Sequence, residues 1–320
     1  MSIWPQTRPL GRLPSAHQPL AAVLRPKTLG QRRSQLGYLL VLPSFLVLCL
    51  TVFYPIVQTF IYSLYTNRLN MPYLGTPFVG LANYASLLGQ AAFWKAVSHT
   101  LEYTSISVAG ELLLGLLVAL TINQNFPGRA AVRAAVLIPW SLPGIVIGLS
   151  WAWLYLVPFG VLNDVLVRLG VLAQPFSFLG DANAAMYSVS VASIWRQTPF
   201  AALILLAGLQ GIPAELYEAA KIDGASRLQR FRHVSLPLLR GPILVVLIFR
   251  TLGSIRTFDL IFAMTRGGPI DRTETLSLYT YRLLFGFLDI GLGSAAAVTM
   301  VILASVICFI YIKGLRVRWS

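Results

Sequence analysis

Charge is scarce in this chain. Asp, Glu, Lys and Arg make up 11% of its 320 residues, where soluble globular chains carry about 25%. Only 11 residues are acidic, and most fall between the apolar runs, so no carboxylate pair stands ready for acid–base chemistry. The two cysteines, Cys49 and Cys308, both lie inside apolar runs. They read as small core residues, which excludes a disulfide framework and a cysteine metal site. His17, His99 and His233 are scattered and match no metal-ligand spacing. No glycine-rich phosphate loop ending in Gly-Lys-Ser or Gly-Lys-Thr occurs. The chain is therefore not expected to hydrolyse ATP. No Ser/His/Asp arrangement points to any other enzymatic reaction.

Apolar residues fill the space instead. They form 56% of the chain, and the mean hydropathy is +0.71. Runs this long predict transmembrane helices. The expected fold is an all-α membrane protein with a transmembrane domain over 37–312. Six spans are read, at about 37–61, 97–122, 134–156, 185–209, 242–264 and 291–312. Pro43 and Pro55 in the first span, and Pro139 and Pro143 near the start of the third, are tolerable in membrane helices. Trp151, Trp153 and Tyr155 near the end of the third span suggest an interface. Short interfacial helices are expected around 81–88, where Leu81, Tyr84, Leu87 and Leu88 recur at helical spacing, and around 161–169. Residues 1–36 are polar, Pro-rich and basic and read as a cytoplasmic N-terminal tail without a removable signal peptide. Residues 313–320 form a basic C-terminal tail.

The net charge is +14. Six spans put both termini on one side. With the 123–133 turn and the 210–241 loop, that side holds 16 of the 25 Lys and Arg; the opposite loops hold six. The excess marks the cytoplasm. Topology then accounts for the charge, with lipid as the surrounding partner and no nucleic acid required.

One polar, basic stretch between two apolar runs organises the rest: residues 218–242, EAAKIDGASRLQRFRHVSLPLLRGP. Pro213 suits a helix start. Leu216, Ala219, Ala220 and Ile222 follow at roughly helical spacing. Gly224 is a natural stop, because the residue past a helix end often takes positive φ. Ser226 followed by Gln229 reads as a capping box for a second short helix, ended at Leu236-Pro237. A bent helix pair at a membrane face presents a rigid knob to a soluble partner. On spacing alone an ordinary basic cytoplasmic loop fits as well.

Glu218-Ala219-Ala220, Asp223-Gly224-Ala225, Phe231, Leu236-Pro237 and Pro242, in this order and spacing, resemble the EAA loop of ABC-importer permeases. The resemblance runs from the first apolar run to the last. It is nearest the sugar-permease branch, whose members carry maltose, trehalose, other α-glucosides or glycerol phosphate. It implies the type I importer permease fold, with Glu218, Ala219, Ala220, Asp223, Gly224, Leu236 and Pro237 in the element that couples to the ATPase. The implied partners are a second permease subunit, a dimeric cytoplasmic ATPase that binds the ATP and Mg, and an extracytoplasmic sugar-binding protein. The chain itself needs no cofactor. The implied location is the bacterial inner membrane.

Charged groups at bilayer depth are costly, and each is a candidate for function. Glu111 lies near the middle of the second span, and Glu102 nearer its outer end. Arg196 lies in the fourth span beside Gln197, Thr198 and Pro199. Arg250, Ser254 and Thr257 stand at i, i+4 and i+7 in the fifth, on one helical face. Arg256 and Asp259 are i, i+3 and can pair. These groups either glue helices together or line a sugar cavity with Phe200 as an aromatic wall. The resemblance favours the cavity and implies Gln197, Phe200, Arg250, Ser254 and Thr257 as substrate contacts. Arg250 departs from the asparagine-rich maltose-type pattern; its fork could grip hydroxyls or an anionic group. Outside, Thr265-Arg266-Gly267-Gly268-Pro269, Thr275, Leu276 and Tyr279 resemble the family's region near the docked binding protein. The expected function is a sugar-importer permease. The alternative is an ion-coupled secondary transporter with Glu111 as its proton site.

Overall fold

The structure, a computed structural model, describes residues 29–315. Most of the expected N-terminal tail and the end of the C-terminal tail lie outside the described residues. Two compact units divide the chain, residues 1–56 and 57–320. Every regular element among the described residues is helical.

At the start of the described residues, α1 (Leu29–Leu48) contains Pro43 and passes through a wide turn, Cys49–Phe53, into α2 (Tyr54–Ser63), within which the division between the units falls. Proline has no N–H to donate, and Pro55 stands two residues past this wide turn. The apolar helical stretch Gly37–Ser63 has 27 residues, or about 40 Å at 1.5 Å per residue. That exceeds the hydrocarbon thickness.

The second unit is built on two long helices, α4 (Ala91–Ile122) and α8 (Ala185–Gln210), with α3 (Ala82–Leu88) ahead of them. They pack through small residues. A Cβ on Gly115 would sit 2.6 Å from the Ala201 Cβ, so only glycine permits this approach. Ala119, Ala201 and Leu205 pack there with Leu239 and Val246. Tyr103, Met186 and Val189 pack with Leu260 and Ile261. Leu87, Phe93, Leu276, Tyr279 and Ala295 make a further cluster.

Two expected spans are interrupted. The third is α5 (Arg129–Ser141) and α6 (Gly144–Leu154), which meet at 94°. Pro143 excludes its predecessor from helical backbone, and Leu142 is extended at φ −85°, ψ 143°. The aromatic cluster at its end is divided: Trp153 is exposed, but Tyr155 is buried and donates to the Ser188 carbonyl at 3.3 Å. The fifth is α12 (Arg240–Ile255), a break at 256–258, and α13 (Asp259–Met264). At the break the Thr257 hydroxyl donates to the Gly253 carbonyl at 3.1 Å, a local bond that competes with helix continuation. Among the described residues four helices are long and apolar enough to cross a membrane, or up to six if two bent pairs, α5 with α6 and Arg227–Leu238 with α12, each count as one span.

Between the long helices lie α7 (Val161–Arg168), α9 (Ala214–Ile222), α10 (Arg227–Arg230) and α11 (Leu236–Leu238). The segment 265–290 is not a plain loop. It holds α14 (Leu276–Tyr281) and a wide turn, Arg282–Gly286, before α15 (Ile290–Leu315). Cys49 and Cys308 are free and half-buried, not core.

Candidate functional site

Two places concentrate polar chemistry. The first is the elbow made by α9, α10 and α11. Pro213 caps α9; Glu215 stands in its first turn and Lys221 in its last, which suits the helix dipole. Gly224 takes φ +79°. The Ala225 amide donates to the Ala220 carbonyl at 2.9 Å and the Gly224 amide to the Lys221 carbonyl at 3.1 Å, a Schellman ending. Ser226 and Gln229 form both bonds of the capping box, at 2.7 and 3.3 Å. A wide turn, Phe231–Ser235, joins α10 to α11.

The two arms are tied together. Tyr217 on α9 and Ser235 share a hydroxyl–hydroxyl bond of 2.9 Å. A groove of about 280 Å³ lies between them, lined in part by Ala220, Asp223, Gly224 and Gln229. Glu218 and Ala219 are exposed, Ala220 and Pro237 half-buried, and Leu236 is at the surface. Ile222 is 87% and Leu228 73% exposed, so the arms carry apolar tips in the open. The elbow enters α12 through a 63° bend.

The second place joins α4, α8 and α12. Arg250 donates Nε to Glu111 Oε2 at 2.5 Å and Nη2 to Glu111 Oε1 at 3.1 Å. Glu111 is fully buried and Arg250 nearly so. Ser193 donates to Glu111 Oε1 at 3.5 Å. The Arg250 guanidinium lies 6.0 Å over the Phe200 ring, which also meets Trp140 at 5.9 Å and Phe249 at 6.1 Å. Ser254 Oγ and Gln197 Oε1 are buried without a hydrogen-bond partner. The buried Tyr103 hydroxyl lies near Ser193 and Thr257.

Several sequence expectations change here. Arg250, Ser254 and Thr257 do not share one helix face, because α12 stops at Ile255. The same break separates Arg256 from Asp259. Arg256 donates to the Leu252 carbonyl at 3.3 Å, and Asp259 pairs with Arg196 at 3.7 Å. Glu111, the proton site named for the ion-coupled alternative, is held by two Arg250 nitrogens. Sequence reasoning missed Ser193 and Trp140. Ser193 stands one helical turn before Gln197, which was the available signal; Trp140 has none.

At the other end of α12, the segment 265–290 is anchored to α4. Arg272 grips Glu102 with both nitrogens at 2.7 and 2.8 Å, and this bond holds the guanidinium above the usual arginine range. The Leu276 amide donates to Thr100 at 2.7 Å, and Tyr279 donates to Gln90 at 2.9 Å. Burial pushes the Glu274 carboxyl up, while Arg282 pulls against it. Arg266, Ile270 and Asp271 all adopt positive φ, as does Gly267. Ile270 at the loop's tip is 93% exposed.

The family described as "Binding-protein-dependent transport system inner membrane component" matches residues 111–318. The chain belongs to this family. It is thus a multi-pass inner-membrane permease subunit of an ABC importer and not an enzyme. The permease is 39% identical over 290 residues to the trehalose/maltose transport system permease protein MalF of Thermococcus litoralis, covering 91% of this chain and 97% of that one. It is 38% identical over 283 residues to the sulfoquinovosyl glycerol transport system permease protein SmoG of Agrobacterium fabrum, covering 88% and 91%. Its fold matches a crystal structure of a bacterial ABC transporter involved in the import of the acidic polysaccharide alginate. The TM-score is 0.74 at 24% identity, covering 89% of this chain and 96% of that one.

Proposed function

We propose that the permease forms half of the translocation pathway of a bacterial ABC importer for a disaccharide or glucoside of the trehalose/maltose kind. One observation carries this reading: a buried polar cluster walled by Phe200, in a chain that aligns nearly end to end with a trehalose/maltose permease. Gln197 and Ser254 offer unpartnered polar atoms to hydroxyls. Thr257 adds a hydroxyl, and Phe200 offers a ring to the sugar face. Arg250 contributes through its Nη1, since Glu111 takes the other two nitrogens. Glu111 also balances the Arg250 charge, which favours a neutral sugar over a phosphate.

The elbow residues Glu218, Ala219, Ala220, Asp223, Gly224, Leu236 and Pro237 engage a dimeric ATPase on the cytoplasmic side, where both termini also lie. A second permease subunit completes the pathway, and a loaded sugar-binding protein delivers from outside. Closure of the ATPase dimer moves the elbow as a rigid body and switches the cavity between its two faces.

The test is uptake by the importer reconstituted with its partner subunits. ATP-dependent accumulation of radiolabelled trehalose or maltose, and none of glycerol phosphate, is expected. Uptake by the permease alone, driven by an ion gradient, would overturn the reading.

A further inference from the structure

Arg196 on α8 and Asp259 at the start of α13 face each other at 3.7 Å, beyond hydrogen-bond range. Both keep bonding capacity in hand. Arg196 Nε is buried and has no hydrogen-bond partner. The Asp259 side chain is 46% exposed, against 19% for Arg196, and among the described residues it accepts no hydrogen bond. A closed ion pair would be shorter and would use these atoms. This one stands open on the carboxylate side.

Its surroundings hold it there. A Cβ on Gly144 would overlap the Asp259 carboxylate and fall 2.6 Å from Arg196 Nη1. Only glycine at the start of α6 leaves room for both groups. A negative charge is favoured at that helix start. Arg196 and Phe200 are i, i+4 on α8, on one face and about 6 Å apart along the axis. Trp140, which meets Phe200 at 5.9 Å, stands just before the bend that brings in Gly144. The pair therefore lies beside the proposed sugar site, displaced from it by about one pyranose unit.

The pair's charges select among ligands. An anion would meet Asp259, and an ammonium would meet Arg196. A neutral polyol meets neither cost. One hydroxyl donates to the carboxylate while its neighbour accepts from the guanidinium.

We propose that Asp259 and Arg196 clamp vicinal hydroxyls on the second ring of the sugar, the first ring being held by Gln197, Phe200, Arg250, Ser254 and Thr257. This deepens, and rests on, the reading of the permease as a sugar importer.

The experiment measures equilibrium binding of maltose, trehalose and the monodeoxy analogues of each to the purified permease complex. Asp259→Asn keeps the side-chain shape but removes its charge, and Arg196→Gln removes the fork. Each is expected to weaken binding roughly tenfold, with subunit assembly intact. For the wild type, deleting one particular hydroxyl should cost a similar factor. For Asp259→Asn, that same deoxy sugar should bind as well as its parent. Unchanged affinity in Asp259→Asn sinks the clamp. So does an additive loss, in which every deoxy sugar keeps its wild-type penalty, because Asp259 then acts on structure and not on a hydroxyl. Failure of Asp259→Asn to assemble sinks it too, since the pair is then a tie between helices. A wild-type complex that binds neither sugar sinks the sugar reading and the clamp together.

Discussion

Arg250 on α12 clasps Glu111 on α4 through two nitrogens and both carboxylate oxygens, and the same guanidinium covers the Phe200 ring on α8. One ion pair therefore fixes three helices against each other at the proposed sugar site. Removing one partner leaves the other charge buried and alone, which costs about 3–5 kcal/mol. Glu111→Ala should lower the thermal stability of the purified complex strongly. Glu111→Leu combined with Arg250→Met should recover much of that loss while still impairing uptake. Equal melting of wild type and Glu111→Ala would remove the pair from the account.

Gly224 closes α9 at φ +79°, a conformation that costs other residues about 1–2 kcal/mol. Gly224→Val should reorient the elbow's second arm. Membrane insertion is expected to persist while ATPase association and uptake fall together, as read by co-purification and vesicle assays.

Ser226 caps the second arm through Gln229. Ser226→Ala should cost about 1 kcal/mol and fray that arm. Faster amide exchange over 226–235 is expected, with a smaller loss of uptake than for Gly224→Val.

Gln197 and Ser254 hold buried atoms without partners. If these atoms meet sugar hydroxyls, each Ala substitution removes about 0.5–1.5 kcal/mol of binding. The dissociation constant of the purified permease complex for the sugar should rise accordingly, with basal ATPase activity unchanged. An unchanged value for both variants would move the site elsewhere.

The elbow was legible in the sequence because its signals are local. Pro213, Gly224 and the Ser226–Gln229 pair each act within one turn of chain, and each does in the structure what its chemistry dictates. The interior was less legible. Spacing suggested Arg256 with Asp259, but a helix break put Asp259 on Arg196 instead. Nothing in hydropathy marks the break after Ile255. Glu111 and Arg250 stand 139 residues apart, and periodicity within one helix carries no information on such a partner. The bend before Gly144 was readable in principle from Pro143, yet an apolar run masks it. The helix Leu276–Tyr281 has only six residues, too few to establish a period.

The central claim is that the bent polar elbow receives the ATPase's motion. Hydrogen exchange of the elbow amides, measured in the permease complex with and without the ATPase dimer, tests it most directly. The account predicts slowed exchange across residues 214–238 when the dimer is present, centred on α9 and the Gly224 turn. Identical exchange with and without the dimer would contradict it.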